Sequence, residues 1–123
     1  MIVPADAPKF FVDAIERARA SKRPIIIDFW AEWCVACLRL KRETLEHPET
    51  AGVLSAIELI YVDLDKYPAL GEAYGVVAIP DVFLIDRSGR IVDRMQEFVP
   101  PKAFVIRVRK ALGQALPRDT SDE

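Results

Sequence analysis

The spacing of apolar residues along the chain predicts five helices. Residues 6–21 carry an apolar stripe at helical spacing, and Asp6 is suited to cap the start of this helix. We expect Pro48 to end the helix that follows Cys34, since the residue before a proline disfavours helix. The same apolar period recurs further along, and the five predicted helices span residues 6–21, 34–47, 49–56, 68–74 and 100–112.

Four runs rich in branched aliphatic and aromatic residues predict four strands. They span residues 25–30, 57–63, 81–85 and 90–95. A helix lies between the first two runs, so we expect them to be parallel, whereas the turn at residues 86–89 predicts an antiparallel hairpin. The order of elements predicts an α/β fold, with a central mixed β-sheet flanked by helices on both faces.

Length and composition fit a single folded domain. The chain has 123 residues, 51% apolar and 29% charged, and we expect one domain over residues 1–116 with a disordered polar tail over 117–123. The net charge of −2, with both signs interspersed, argues against a nucleic-acid partner bound by bulk electrostatics. We expect no membrane insertion, because every apolar run is far shorter than the ~18 residues that span a bilayer. We also expect a monomer.

The start of the chain leaves the cell compartment open. Residues 1–6 lack the basic start and the apolar core of a signal peptide, which fits a cytoplasmic protein. The same start fits equally well a domain taken from a longer or secreted precursor. A periplasmic location therefore stays open.

The segment from Asp28 to Cys37 holds both cysteines and both tryptophans of the chain. Cys34 and Cys37 flank two residues at the predicted start of a helix, a spacing that lets their sulfur atoms bond. At a helix N-terminus, free backbone N–H groups and the helix dipole favour the thiolate form of Cys34. Cys34 is therefore the candidate attacking thiol, and Cys37 the resolving thiol that releases a mixed disulfide.

Metal binding finds little support in this sequence. Two cysteines and one histidine, His47, do not fill a structural zinc site, which normally takes four Cys or His ligands. We therefore expect no metal and no other cofactor. His47 lies at the predicted end of the second helix, where we expect a structural cap or a plain surface residue.

Asp28 interrupts an otherwise apolar strand, where a carboxylate is costly unless it is paired or neutralised. One interpretation is a structural aspartate near the strand end whose hydrogen bonds are satisfied. The other is a proton acceptor for Cys37, acting directly or through water. Burial should raise the pKa of Asp28, which suits acid–base work near neutral pH.

The segment from Asp28 to Cys37, with Trp33 before the first cysteine, resembles the active-site segment of the thioredoxin family. The similarity extends over about residues 24–112 and includes Ile79-Pro80, which resembles the cis-proline loop of the family. The Val35-Ala36 pair is similar to that of the C-terminal thioredoxin-like domain of DsbD. The resemblance implies a thioredoxin fold and favours the proton-acceptor role of Asp28.

Further site residues are implied by the same resemblance. It implies a cis bond between Ile79 and Pro80, placed opposite the cysteines, with backbone groups that bind an extended substrate segment. Without the resemblance, Pro80 would be an ordinary proline at a strand start. Trp33 would shield the site and contact substrate, and the alternative is a partly buried core aromatic.

Several positions depart from the family pattern. Tyr61 falls where thioredoxins carry a lysine facing the buried aspartate. Its neutral phenol can donate a hydrogen bond to Asp28 but cannot stabilise the carboxylate by charge. Asp81 replaces the usual threonine and is expected to place a charge near the substrate groove. Glu97 stands at the position of a family glycine, and with Phe98 it indicates either a different partner or loop filling by a packed aromatic.

The site and the resemblance together predict a thiol–disulfide oxidoreductase. We expect it to reduce disulfides of partner proteins and to be recharged by an upstream thiol reductant. The Val35-Ala36 pair lacks the histidine of strongly oxidising family members, which favours a reductant. Two alternatives stay open: a protein disulfide oxidase or isomerase, and a redox-inactive thioredoxin-fold module that only binds a partner.

Overall fold

In residues 1 and 3–113, which the computed structural model describes, four strands form one mixed sheet. The strands are β1 (Ile25–Trp30), β2 (Glu58–Asp63), β3 (Asp81–Ile85) and β4 (Ile91–Met95). The helices are α1 (Lys9–Ser21), α2 (Val35–Leu40), α3 (Pro48–Leu54), α4 (Pro68–Ala73) and α5 (Pro101–Leu112), and the π-helical turn Lys41–Leu45 follows α2 directly.

The sheet has the strand order β2-β1-β3-β4, so β1 lies in its interior. β1 pairs in parallel with β2 and antiparallel with β3, and β3 pairs antiparallel with β4. This arrangement confirms the predicted mixed sheet. In this register Asp28 lies beside Tyr61 of β2 on one side and Val82 of β3 on the other.

Side chains of β1 alternate between two hydrophobic cores, one on each face of the sheet. Ile25, Ile27 and Phe29 enter the core that α1 and α4 cover, whereas Ile26 packs with residues of α3 and α5. Helices therefore cover both faces, as predicted. Asp28 is two residues after Ile26, so its side chain points to the second face, on which α2 also lies.

The first helix starts later than predicted. It begins at Lys9 rather than at residue 6, because the backbone of Pro8 is still extended, with φ −64° and ψ 151°. Asp6 lies in a turn before the helix, and the predicted cap by this residue is wrong. The buried stripe of α1 is nevertheless the predicted one, with Phe11 and Ile15 both buried.

The prediction that Pro48 ends a helix is also incomplete, because Pro48 begins one as well. Pro48 is the first residue of α3, a position where the missing N–H group of proline leaves no hydrogen bond unmade. His47 is indeed a cap, but it caps the start of α3 instead of the end of the preceding helix. Its Nδ1 accepts a hydrogen bond from the backbone N–H of Glu49 at 3.0 Å.

The last described helix, α5, is followed by Gly113. The predicted domain end at residue 116 and the predicted tail over 117–123 lie outside the described residues. Within residues 1 and 3–113, none of the helices combines the length and the apolar character that crossing a bilayer requires.

Candidate active site

The two cysteines lie where β1 gives way to α2. A tight turn follows β1, closed by a 3.1 Å hydrogen bond from the Cys34 N–H to the Ala31 carbonyl. Cys34 is the N-cap of α2, and its Sγ accepts a hydrogen bond from the backbone N–H of Cys37 at 3.1 Å. The two residues form a disulfide with a Cα–Cα distance of 5.2 Å. Cys34 is 5% exposed and Cys37 only 1%, so Cys34 is the more exposed of the two cysteines.

The loop between α4 and β3 lies against this disulfide. The Ile79–Pro80 peptide bond is cis, as the family resemblance implies. The carbonyl oxygen of Ile79 lies 3.7 Å from the Sγ of Cys34, so the structure brings together the cysteines and the loop that are 45 positions apart in sequence. Val77, in the middle of the loop, is 92% exposed.

Trp33 lies on the surface beside the disulfide. It is 65% exposed, so the interpretation as a partly buried core aromatic is wrong. Its indole N–H lies 3.1 and 3.3 Å from the two carboxylate oxygens of Asp65, an exposed residue that follows β2. This hydrogen bond fixes the indole ring at the rim of the site.

Asp28 is buried on the α2 face of the sheet, with 1% of its surface exposed. Neither of its carboxylate oxygens has a hydrogen-bond partner among the described residues, which favours the interpretation as a proton acceptor over that as a structurally satisfied aspartate. Burial raises the pKa of Asp28 from 3.8 to about 7, and the positive charge of Lys41 opposes this rise. Its carboxyl group therefore exchanges its proton near neutral pH.

Tyr61 lies beside Asp28 in the sheet but does not donate a hydrogen bond to it. The hydrogen bond from the Tyr61 phenol to Asp28, which the sequence analysis considered, is thus absent among the described residues. Burial, together with the nearby carboxylates of Asp28 and Glu46, raises the pKa of Tyr61 to about 12. The phenol is therefore neutral throughout the physiological pH range.

Lys41 is the residue of the site that the sequence analysis missed. It is half-buried, and its Nζ lies 5.5 Å from the centre of the Trp30 ring and 5.1 Å from that of Tyr61. Both distances are within the range of cation–π attraction. A signal existed in the sequence, because Lys41 follows Cys37 by four residues and so shares its helix face.

Asp81 does not place a charge in the substrate groove, and that expectation is wrong. Its side chain is completely buried in a paired contact with Arg94 of β4. The Nε of Arg94 donates to Oδ1 at 2.9 Å and its Nη2 to Oδ2 at 2.6 Å. The same Nη2 donates to the Gly75 carbonyl at 3.2 Å, so one guanidinium group contacts both ends of the loop that carries Pro80.

Glu97 and Phe98 follow β4 at the edge of the site. Glu97 is exposed, whereas Phe98 is half-buried and lies under the guanidinium group of Arg39, 3.8 Å from the ring centre. This contact fits the interpretation of Phe98 as a packed aromatic. No group of three or more metal-ligating side chains occurs in the part of the chain that the structure describes.

Comparison with known proteins agrees with this geometry. A family model for a thioredoxin-like domain matches residues 11–112. The match covers most of the chain, and the chain belongs to the thioredoxin-like family. The resemblance noted from the segment Asp28 to Cys37 is thereby confirmed.

The relatives include both thioredoxins and DsbD, the two kinds of protein that the sequence resembles. Chloroplastic thioredoxin Y2 of Arabidopsis thaliana is 30% identical over 92 residues, which are 75% of this chain and 53% of that protein. The thiol:disulfide interchange protein DsbD of Vibrio vulnificus is 28% identical over 99 residues, which are 76% of this chain and 17% of DsbD. The chain thus spans about half the length of the first relative and a small part of the second.

A solved structure shows the same fold. The C-terminal domain of Neisseria meningitidis DsbD in its oxidised form matches with a TM-score of 0.69 and 23% identity. The match covers 83% of this chain and 92% of that domain. At this level of identity the likeness establishes the architecture, and the chemistry has to be argued from the site itself.

Proposed function

We propose that this chain catalyses thiol–disulfide exchange with partner proteins and acts as a disulfide reductant. The observation that carries the proposal is the cysteine pair at the start of α2. Cys34 is the more exposed of the two cysteines, and its sulfur is the N-cap atom and faces the Ile79 carbonyl of the cis-proline loop. The membership of the thioredoxin-like family supports the same chemistry.

The first step is attack by Cys34. In the reduced chain its thiolate attacks one sulfur of a partner disulfide, forms a new S–S bond to that sulfur and expels the other partner sulfur as a thiolate. The Cys37 N–H, which already donates to Cys34 Sγ, favours the negative charge on this atom. No bound cofactor is needed, because the two cysteines carry both electrons.

The second step releases the partner. Cys37 loses its proton and attacks the Sγ of Cys34, which forms the disulfide seen in the structure and expels the second partner sulfur as a thiolate. Asp28 is the proton acceptor for Cys37, directly or through water, because its pKa of about 7 lets it take and return a proton at neutral pH. An upstream thiol reductant then returns two electrons to the chain.

The partner segment binds next to Cys34 along the exposed loop. Ile79 offers its backbone to an extended strand, and Pro80 fixes the direction of that backbone. Trp33 and Val77, both largely exposed, border the same place and present apolar surface to the partner. The Val35-Ala36 pair contains no histidine that would stabilise the thiolate further, which favours the reducing direction.

The test is the reduction potential of the Cys34–Cys37 pair in defined thiol–disulfide buffers. We expect about −270 mV, in the range of thioredoxin, together with faster reduction of insulin by dithiothreitol. Cys34→Ser should abolish this acceleration, and Cys37→Ala should accumulate mixed disulfides with partner proteins. A potential of about −120 mV would instead identify an oxidase. Absence of reversible exchange would leave a binding module.

A further inference from the structure

We propose that Lys41 is a positioning residue for the resolving step, and that its ammonium group supplies the positive charge that acts on the Asp28 carboxylate. The inference deepens the proposed function and rests on it. In the family pattern described above, the lysine facing the buried aspartate comes from the strand position that Tyr61 occupies here. In this chain the charge comes from the π-helical turn that follows α2, the helix that begins at the cysteines.

The geometry starts from the sheet. Asp28 and Trp30 are two residues apart in β1, so their side chains share one face, and Tyr61 stands beside Asp28 on β2. Trp30 and Tyr61 therefore flank the carboxylate as two aromatic rings on the surface of the sheet. The Nζ of Lys41 lies over both rings, at 5.5 and 5.1 Å from their centres.

The helix places Lys41 above these rings. Lys41 is the first residue of the π-helical turn and follows Cys37 by four positions, and its backbone N–H donates to the Cys37 carbonyl. None of the ion pairs among the described residues includes Lys41. Its charge is therefore not neutralised by a surface carboxylate and remains available to Asp28.

Among the residues that the structure describes, Lys41 is the cation that acts on Asp28. β2 contributes the neutral phenol of Tyr61 and β3 contributes the apolar Val82. The helix contributes Cys37 and Lys41, and Glu46, after the π-helical turn, adds negative charge near Tyr61. Lys41 is thus the cation that acts on the buried carboxylate and opposes the effect of its burial.

The consequence concerns the proton of Cys37. Burial alone favours the protonated form of Asp28, and a protonated carboxyl group cannot accept a proton. The charge of Lys41 keeps an ionised fraction present at neutral pH, so the Cys37 proton has a destination when its sulfur attacks Cys34. The departing partner thiolate then takes up a proton from Asp28 or from solvent, which balances the step.

The test compares Lys41→Met with Lys41→Arg, and uses Arg42→Met as the matched control. Arg42 is the next residue and is exposed, so its substitution removes the same charge away from the carboxylate. The first readout is the Asp28 carboxyl titration, followed by ¹³C NMR in the oxidised protein, where no turnover is needed. We expect Lys41→Met to raise its pKa by about one unit, because loss of a nearby opposite charge disfavours ionisation.

The second readout is the pH profile of single-turnover reduction of oxidised glutathione by the reduced protein. Lys41→Met should slow this reaction about fivefold at pH 7 and move its pH profile upward, whereas Lys41→Arg and Arg42→Met should resemble the wild type. Equal titrations for Lys41→Met and Arg42→Met would overturn the assignment of the charge. A shifted titration with an unshifted rate profile would overturn the role in the resolving step. A wild type with no exchange activity would refute the proposed function. The titration of Asp28 in the oxidised protein would still test whether the charge of Lys41 acts on this carboxylate.

Discussion

At the scale of single residues, the burial of Asp28 conflicts with the charge of its carboxylate. It is 1% exposed, it lacks a hydrogen-bond partner among the described residues, and its pKa is raised to about 7. A structural aspartate in the same strand would be expected to accept hydrogen bonds. The burial of Asp28 therefore lowers stability at any pH where its carboxyl group is ionised in the unfolded chain.

This conflict predicts a pH-dependent stability. The unfolded chain ionises Asp28 above its ordinary pKa of 3.8, whereas the folded chain keeps the proton until about pH 7. Between these values the folded state binds more protons, so the free energy of unfolding falls as pH rises. At about 1.36 kcal/mol per pKa unit, the fall amounts to roughly 4 kcal/mol at most.

Asp28→Asn should remove this part of the pH dependence, because an amide does not titrate. We expect urea unfolding of the oxidised wild type to show stability falling between about pH 4 and about pH 7, and the variant to show a flatter curve. Glu16→Gln, at an exposed position of α1, should keep the slope of the wild type. Parallel curves for the wild type and Asp28→Asn would contradict the assignment.

At the scale of elements, the contact between Arg94 and Asp81 holds the cis-proline loop. Arg94 lies opposite Phe83 in the β3–β4 pair and reaches diagonally to Asp81 on the same face. Its guanidinium group also lies 4.5 Å from the centre of the Phe83 ring. The loop from Gly75 to Pro80 is thus attached to the sheet at both ends.

Arg94→Met should destabilise the protein, because it leaves the buried Asp81 without its partner. Breaking a buried ion pair from one side typically costs about 3–5 kcal/mol, and we expect a loss near the lower limit because Arg94 is partly exposed. The double variant Asp81→Leu with Arg94→Met should recover much of the loss, since no charge is then left unpaired.

The measurement is urea unfolding of both variants, with Arg87→Met in the exposed hairpin as a control for the lost positive charge. A double variant that is less stable than Arg94→Met would show that the two residues do not act as a pair. That result would also contradict the conclusion that the pair of Arg94 and Asp81 holds the cis-proline loop on the sheet.

The sequence predicted the elements better than the contacts between them. The strand at residues 81–85 has its predicted bounds, because an apolar run between a proline and a turn is a local signal. The partner of Asp81 is 13 residues away on another strand, and it depends on a register that local patterns do not specify. The sequence therefore predicted the charge of Asp81 near the substrate groove, whereas the structure shows this residue buried against Arg94.

The same limit applies to the site. The cysteines, Asp28 and Pro80 were found because a motif and a family resemblance single them out. Lys41 was missed although its spacing from Cys37 places it on the inner helix face, because a lysine in such a pattern is usually exposed. Only the structure shows two aromatic rings beneath its ammonium group.

At the scale of the whole molecule, two hydrophobic cores share one sheet. The first lies under α1 and α4 and the second under the remaining helices, and the strands contribute side chains to both. Because β1 pairs on both edges and packs on both faces, neither core can open without disturbing this strand. We therefore expect the described domain to unfold as one cooperative unit.

Two matched substitutions test this expectation. Ile15→Val affects the first core and Ile26→Val the second, and each should cost about 0.5–1.5 kcal/mol of stability. The two losses should add to within about 0.5 kcal/mol, since the sites lie in different cores. Tryptophan fluorescence and far-UV circular dichroism should give the same urea midpoint for each variant. Separate midpoints for the two probes would indicate that the cores unfold independently.

The attachment of the cis-proline loop by Arg94 has a consequence for protein engineering. One guanidinium group contacts the first and last parts of the loop, while Val77 and Ala78 between them are exposed. The scaffold that holds the loop is thereby separated from the side chains that the loop displays. These two positions form a natural site for a combinatorial library, in which recognition can be diversified on an unchanged redox centre.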